Sequence, residues 1–280
     1  MSAFEDYNTT CASYDNQRKP LGADLVVEML RLNIGKQLKD LHILDAGCGT
    51  GNYSKALIEY GVGKVTLMDA SGGMLEQAKK KLVNAIDDKI VISIVQNKLP
   101  KIPFEDDSFD AVLFSLVLHH LNPRSDGLKD EERPFNEMEQ TIAEARRVLR
   151  NNGVLIIIAQ SEDDIRNTWY CQINNDITKK YVTKFASCKQ YQDIFDRTGF
   201  QCTQKLRLLG TILDDYLNLD GPYQKAWREC DSYWACATDE ELNDVMQTLQ
   251  SLKDKKELND WVIEHDKVNT HGILTMFVCK

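Results

Sequence analysis

Leu41-His42-Ile43-Leu44-Asp45-Ala46-Gly47-Cys48-Gly49-Thr50-Gly51-Asn52 passes from an apolar run of strand length into three glycines set at every second residue. Glycine serves where a backbone must bend sharply, or where a ligand has to come close without a Cβ in the way. An amphipathic pattern over residues 54–60 follows at once. The segment therefore predicts a buried strand, a tight turn and a helix that opens on that turn.

Outward from this unit, short apolar runs alternate with helical patterns. Strands are predicted over residues 41–46, 64–68, 90–95, 111–115 and 154–159, with helices over 54–60, 73–85 and 138–149. Such alternation builds βαβ units around a parallel sheet. Asn151-Asn152-Gly153 is expected to stop the last of these helices, because Asn and Gly tolerate a left-handed helix end. Residues 162–184 read as polar and partly helical, 189–197 as a helix closed by Gly199, 201–209 as a sixth strand and 273–279 as a seventh. About sixty residues separate the last two strands, too many for a hairpin turn. Helical periodicity over 240–252 and 257–264, with Tyr216, Tyr223, Trp227, Tyr233, Trp234 and Trp261, marks this stretch as a helical insertion. The expected architecture is α/β: a Rossmann-like, seven-stranded, mostly parallel sheet with helices on both faces and a helical insertion near the C-terminus. Residues 1–40, with a helix over 22–32, would form an N-terminal helical cap segment. Residues 41–209 and 270–280 would form the Rossmann-like domain, and 210–269 a lid over the sheet's C-terminal edge.

The glycine spacing separates two cofactor classes. A dinucleotide site takes G-x-G-x-x-G, but the sixth position counted from Gly47 is Asn52. Asp45, two residues before the first glycine, would also oppose a pyrophosphate. S-adenosylmethionine carries an ammonium and a sulfonium and no phosphate, so an acid suits it there. Asp69 closes the second strand about twenty residues past the turn, where a carboxylate can accept both hydrogen bonds of an adenosine ribose. Each feature has a plainer reading beside this one: a bare structural turn for the glycines, and a helix cap for Asp69.

These residues resemble the class I S-adenosylmethionine-dependent methyltransferases, in particular the small-molecule subgroup (methyltransferase type 11) that includes the ubiquinone- and menaquinone-pathway enzymes. The resemblance runs from about Tyr14 to Gln160. Tyr14-Asp15-Asn16-Gln17-Arg18 is similar to the family's Tyr-Asp-x-x-Arg element, near the cofactor's methionine end in relatives. Ile102-Pro103-Phe104 with Ser108-Phe109-Asp110 resembles the entry to the fourth strand, and Leu116 to Leu121 the segment after it. Glu144 to Leu149 and Gly153-Val154-Leu155 resemble the following helix and fifth strand. The resemblance implies cofactor contacts at Tyr14, Arg18, Asp45, Gly47, Gly49, Gly51, Asn52, Asp69, Ala70, Met74, Asn97 and Ser115. Asn97 is a departure, since the family usually places an Asp there for the adenine amino group; an Asn carbonyl can accept the same bond.

His119 and His120 are candidate general bases, or packing residues at a helix start. Glu162-Asp163-Asp164 either holds a substrate amine or caps the next helix. Trp169, Tyr170, Trp227 and Trp234 are candidates to line an acceptor pocket, although such aromatics are more often core.

The bulk properties narrow the partners. A formal net charge of -9 disfavours a broad nucleic-acid-binding face, and Lys79-Lys80-Lys81 reads as a solvated helix face. The N-terminal residues lack a secretory pattern, and no apolar run reaches the roughly 18 residues of a membrane span. The eight cysteines are scattered, with no C-x-x-C pair and no His at zinc-ligand spacing, so reduced thiols, a cytoplasmic location and no metal are expected. The sequence is silent on oligomeric state. The expected activity is methyl transfer from S-adenosylmethionine to a small-molecule N-, O- or S-nucleophile by in-line displacement. An amine is slightly favoured because aromatic faces hold cations. A protein or RNA methyltransferase, or a non-catalytic cofactor-binding scaffold, are the alternatives.

Overall fold

Strands buried on both faces are built from mostly apolar runs, and the central strands fit that pattern. The computed structural model describes residues 18–121, 135–213 and 215–280. Its sheet consists of β1 (His42–Ala46), β2 (Lys64–Asp69), β3 (Val91–Gln96), β4 (Phe109–Ser115), β5 (Leu149–Ala159), β6 (Cys202–Leu208) and β7 (Leu274–Cys279). Their spatial order is β3-β2-β1-β4-β5-β7-β6. Strand β7 runs antiparallel to β5 and β6, and the pairings among β1 to β5 are parallel. Successive side chains face opposite layers. Ile43, Val65, Val154 and Ile156 pack with the helices Ala23–Asn33, Asn52–Glu59 and Gly72–Lys81. Leu44, Met68, Leu155 and Ile157 pack instead with Asn136–Val148 and Cys188–Thr198. The chain is thus the expected α/β sheet with helices on both faces.

Three local expectations change. The helix Asn136–Val148 ends before the Asn-Asn-Gly run, and β5 already begins at Leu149. Asn152 is left-handed (φ 67°), but it serves a break in the β4–β5 register between Phe109 and Ala111 rather than a helix end. The helix expected over 73–85 is interrupted at Leu82, giving Gly72–Lys81 and Val83–Asp87. Residues 162–184 are less polar inside than their composition suggests. The short helices Glu162–Arg166 and Asn175–Val182 and the turn Trp169–Gln172 bury Ile165, Trp169, Tyr170, Ile177 and Tyr181.

Two features of this topology position a site. The chain leaves β1 for β2 on one side, while β4 lies on the other, so a crevice opens beyond the carboxyl ends of β1 and β4. Residues 210–269 leave the sheet from the C-terminal end of β6 and return into β7, which places their ends on that same edge. They carry the helices Lys225–Arg228, Asp239–Asp254, Leu258–His265 and Val268–His271. The segment entering the first helix is stitched to them: Arg18 bridges Leu213, and the Lys19 N–H donates to the Ile212 carbonyl at 3.0 Å. No helix among the described residues is long and apolar enough to cross a membrane.

Candidate active site

The glycine turn is hung from the neighbouring strand. The N–H groups of Gly47 and Cys48 donate to the Met68 carbonyl at 2.7 and 3.1 Å. Gly47 is required by close approach, since a Cβ there would lie 2.4 Å from Cγ2 of Val117. Gly49 is required for the opposite reason. Its φ is +53°, and a Cβ would meet nothing within 4 Å, because it would project into open space. That space is a cavity walled by Gly47, Cys48, Gly49, Thr50 and Asn52 from the turn. Gly51 caps the helix Asn52–Glu59.

Asp69 forms the second wall. One carboxylate oxygen accepts from the Gly49 N–H and the other from the Ser71 N–H, both at 2.8 Å. The side chain thus fixes the turn while each oxygen keeps lone-pair capacity for a further donor. Burial raises its pKa, against the pull of those backbone donors. Ala70, Ser71 and Met74 continue the wall, and the Ser71 hydroxyl caps the helix Gly72–Lys81 by accepting from the Met74 N–H at 3.2 Å. Asn97 lines the third side. Its N–H donates to the Asp69 carbonyl and its amide nitrogen to the Lys101 carbonyl at 2.6 Å, which aims the amide by its nitrogen end. Ser115, Leu116 and Val117 supply the floor after β4. Leu116 holds a left-handed backbone (φ 52°), a conformation uncommon outside glycine and of the kind that gathers at functional sites.

Asp45 stands behind the turn and does not line the cavity. It is fully buried, and one oxygen accepts from the Ser54 hydroxyl at 2.6 Å while the other has no hydrogen-bond partner. Burial pushes its pKa up to about 7, with the Asp69 charge adding to the rise. Arg18 lines the cavity, and its guanidinium donates to the Cys230 carbonyl at 2.6 Å while its own carbonyl accepts from Asn52. Tyr14 lies outside the described residues.

His120 sits in the cavity wall, and His119 lies behind it, stacked on Phe185 at 4.9 Å. Burial lowers both pKa values, that of His120 to about 3, so both rings are neutral near pH 7. A base so weak accepts a proton poorly, and the geometry suits a packing and hydrogen-bonding role for His120. Trp169, Tyr170, Trp227 and Trp234 are absent from this wall. They pack on each other, with Tyr170 at the hub: its ring centroid is 5.5 Å from each of the three tryptophans. Among the acidic run, Asp164 is the N3 partner of a capping box whose N-cap is Ser161, and it is bonded to Arg207 and Thr275. That is the capping alternative, and the Ser-x-x-Asp spacing was a legible sign of it. Thr50, Tyr53, Lys98, Leu99 and Val117 also line the cavity without having been singled out, because nothing in their local pattern sets them apart. Among the described residues, no three His, Cys, Asp or Glu side chains gather as a metal site.

Residues 44–157 match a family model described as a methyltransferase domain. An uncharacterised methyltransferase of Bacillus subtilis, YodH, is 34% identical over 117 residues, which is 42% of either chain. A demethylmenaquinone methyltransferase of Clavibacter sepedonicus is 34% identical over 157 residues, or 56% of either chain. The chain thus spans only about half the length of these curated relatives. Among solved structures, a provisionally assigned methyltransferase from an antibiotic biosynthesis pathway of Anabaena variabilis superposes with a TM-score of 0.67 at 16% identity. The superposition covers 94% of this chain and 98% of that one, a likeness of fold.

Proposed function

From a chain whose residues 44–157 form a methyltransferase domain, we propose an S-adenosylmethionine-dependent methyltransferase acting on a small-molecule acceptor. The observation that carries the proposal is the cavity between the glycine turn and Asp69. The cavity offers an open cradle at Gly49 that any Cβ would fill, a carboxylate with acceptor capacity at Asp69 and an aimed amide at Asn97. The orphaned oxygen of Asp45 behind it suits a cationic ligand. When bound, S-adenosylmethionine supplies an electrophilic methyl on sulfur.

The protein's own part is to hold and to exclude. Asp69 holds the ribose hydroxyls, Asn97 accepts from the adenine amino group, and the Gly47–Gly49 backbone admits the remainder. Arg18, tied to Asn52 and Cys230, forms part of the cavity wall beside Lys19 and narrows the access of water. Positioning of this kind supplies much of the acceleration of a direct displacement. His120 orients rather than deprotonates, so the acceptor must arrive as a competent nucleophile.

The wall charges bear on acceptor choice. Arg18, Lys19 and Lys98 line the cavity, against Asp69 as its one acidic residue among those described. Asp164 is committed to its capping box. An anionic acceptor, such as a phenolate, an enolate or a carboxylate, fits this balance better than an ammonium. The demethylmenaquinone methyltransferases among the relatives point toward small acceptors. The test is a methyl-transfer screen over phenols, enols, carboxylates, thiols and amines, read as S-adenosylhomocysteine release. Turnover of a folded protein or RNA, with none of any small molecule, would overturn the acceptor class. Absence of cofactor binding by calorimetry would overturn the proposal as a whole.

A further inference from the structure

The far end of the sheet, where β6 begins and β7 ends, carries a pair of thiols that methyl transfer does not use. Gln201 and Lys280 exchange both backbone hydrogen bonds, at 2.7 and 2.9 Å. In an antiparallel ladder the next opposed pair is then non-hydrogen-bonded, with Cα atoms about 4.5 Å apart and side chains on one face. That pair is Cys202 and Cys279, which stand in register. Both side chains pack on the same apolar layer, Cys279 fully buried and Cys202 partly exposed. A register shift between Cys202 and Gln204 follows at once and increases local twist beside the pair. The expected Cα spacing lies within the roughly 4.4–6.8 Å that a disulfide spans.

We propose that Cys202 and Cys279 are an oxidisable pair that closes to a cross-strand disulfide when the protein meets a hydroperoxide. The Cys202 sulfur attacks the peroxide; the O–O bond breaks, leaving a sulfenic acid on Cys202 and releasing an alcohol, or water from hydrogen peroxide. The Cys279 sulfur then attacks the sulfenic sulfur. The S–O bond breaks, and the departing hydroxyl takes the Cys279 proton as water. Two thiols are oxidised by two electrons, and one peroxide is reduced. Cys202 is the entry point because it is the exposed member. The interaction between the two thiols also holds the Cys202 pKa down while it pushes that of Cys279 up. The bond would staple the edge strand β6 to β7 and close a loop around the whole 210–269 segment. A loop of that length removes much freedom from the unfolded chain.

The test treats the full chain with hydrogen peroxide near stoichiometry, alkylates the remaining thiols, and maps unreduced peptides by mass spectrometry. The expected result is a cross-link joining Cys202 to Cys279, two fewer titratable thiols of the eight, reversal by dithiothreitol and a raised unfolding midpoint. Cys202→Ser should abolish the two-thiol loss. Cys279→Ala, which keeps the core apolar, should leave a sulfenic acid on Cys202 that dimedone traps. The proposal is overturned if both cysteines remain alkylatable at peroxide doses that oxidise the other thiols, or if either cross-links to a different cysteine. Neither outcome depends on whether methyl transfer is observed.

Discussion

Two buried aspartates lie at opposite ends of neighbouring central strands, and the protein treats them in opposite ways. Asp110, at the start of β4, spends both oxygens: it accepts from Lys36 at 2.6 Å, from Arg150 at 2.8 Å and from the His42 N–H at 2.8 Å. Burial pushes its pKa up, but those three donors outweigh burial, and the net shift is downward. Asp45, at the end of β1, has one donor and one orphaned oxygen, and its pKa rises to about 7. The N-terminal edge of the sheet is thus electrostatically satisfied, and the C-terminal edge is not. Left-handed Leu116, the open cradle at Gly49 and the unpartnered oxygen of Asp45 all collect at the second edge. Buried carboxylate oxygens are thus left short of donors where a ligand completes the structure and supplied with them where the fold must hold itself.

The largest expected effect falls at the unsatisfied edge. Gly49→Val should abolish cofactor binding in calorimetry, at least a hundredfold on the scale of about 2.7 kcal/mol. The new side chain would fill the cradle and strain a φ of +53°. The far-UV circular dichroism should stay native, because nothing packs against that position. Wild-type affinity in a folded variant would remove this turn from the site.

Next comes Asp69→Ala, which should weaken cofactor binding by about 2–3 kcal/mol, the scale of hydrogen bonds to a charged acceptor. The structure adds a complication, because the same carboxylate anchors the N–H groups of Gly49 and Ser71. An analogue lacking the ribose hydroxyls separates the two roles. If the variant loses equally toward both ligands, Asp69 acts only by holding the turn.

The satisfied edge should respond in stability alone. Asp110→Ala strips three donors of one acceptor, two of them on half-exposed cations that water can recover. The cost should be about 2 kcal/mol of unfolding free energy by urea denaturation, with cofactor affinity unchanged. A loss of affinity as large as the loss of stability would erase the division between the edges.

How much of this division is legible in the sequence follows from the range of the forces involved. Parallel strands announce themselves because burial on both faces favours mostly apolar runs, and β1, β2 and β4 are mostly apolar and mostly buried. The glycine turn and Asp69 are local in chain and local in chemistry, so they too can be read. The pairing of Asp45 with Ser54, and the isolation of its other oxygen, is set by three-dimensional neighbours that no spacing encodes. The aromatics teach the same lesson. Trp227 and Trp234 lie close in sequence, yet their partner Tyr170 comes from more than fifty residues away, and the cluster they form lies outside the wall of the cavity at the glycine turn. Asn151-Asn152-Gly153 misleads because a left-handed residue serves a strand irregularity as well as it serves a helix end.

The smallest effect is the most diagnostic, because it is a slope and not a loss. A carboxyl whose folded pKa is raised stabilises the native state at pH below its unfolded value and loses that contribution as pH climbs toward the folded value. For Asp45 the window runs from about 4 to about 7, and its share of the slope is at most about 1.4 kcal/mol per pH unit. Asp110 works in the other direction: its contribution is present above its unfolded pKa and fades only in acid below it. Asp45→Asn keeps an acceptor for the Ser54 hydroxyl and removes the titration. Urea midpoints of the variant should therefore fall less steeply between pH 5 and 7 than those of the wild type. Cofactor binding should show the mirror image. A cationic ligand prefers the carboxylate, so wild-type affinity should rise with pH until about 7 and then level off, while the variant binds several-fold more weakly above that point with a flatter profile. If both proteins gave the same two slopes, the raised pKa would belong to some other group, and the contrast between the two ends of the sheet would rest on geometry alone.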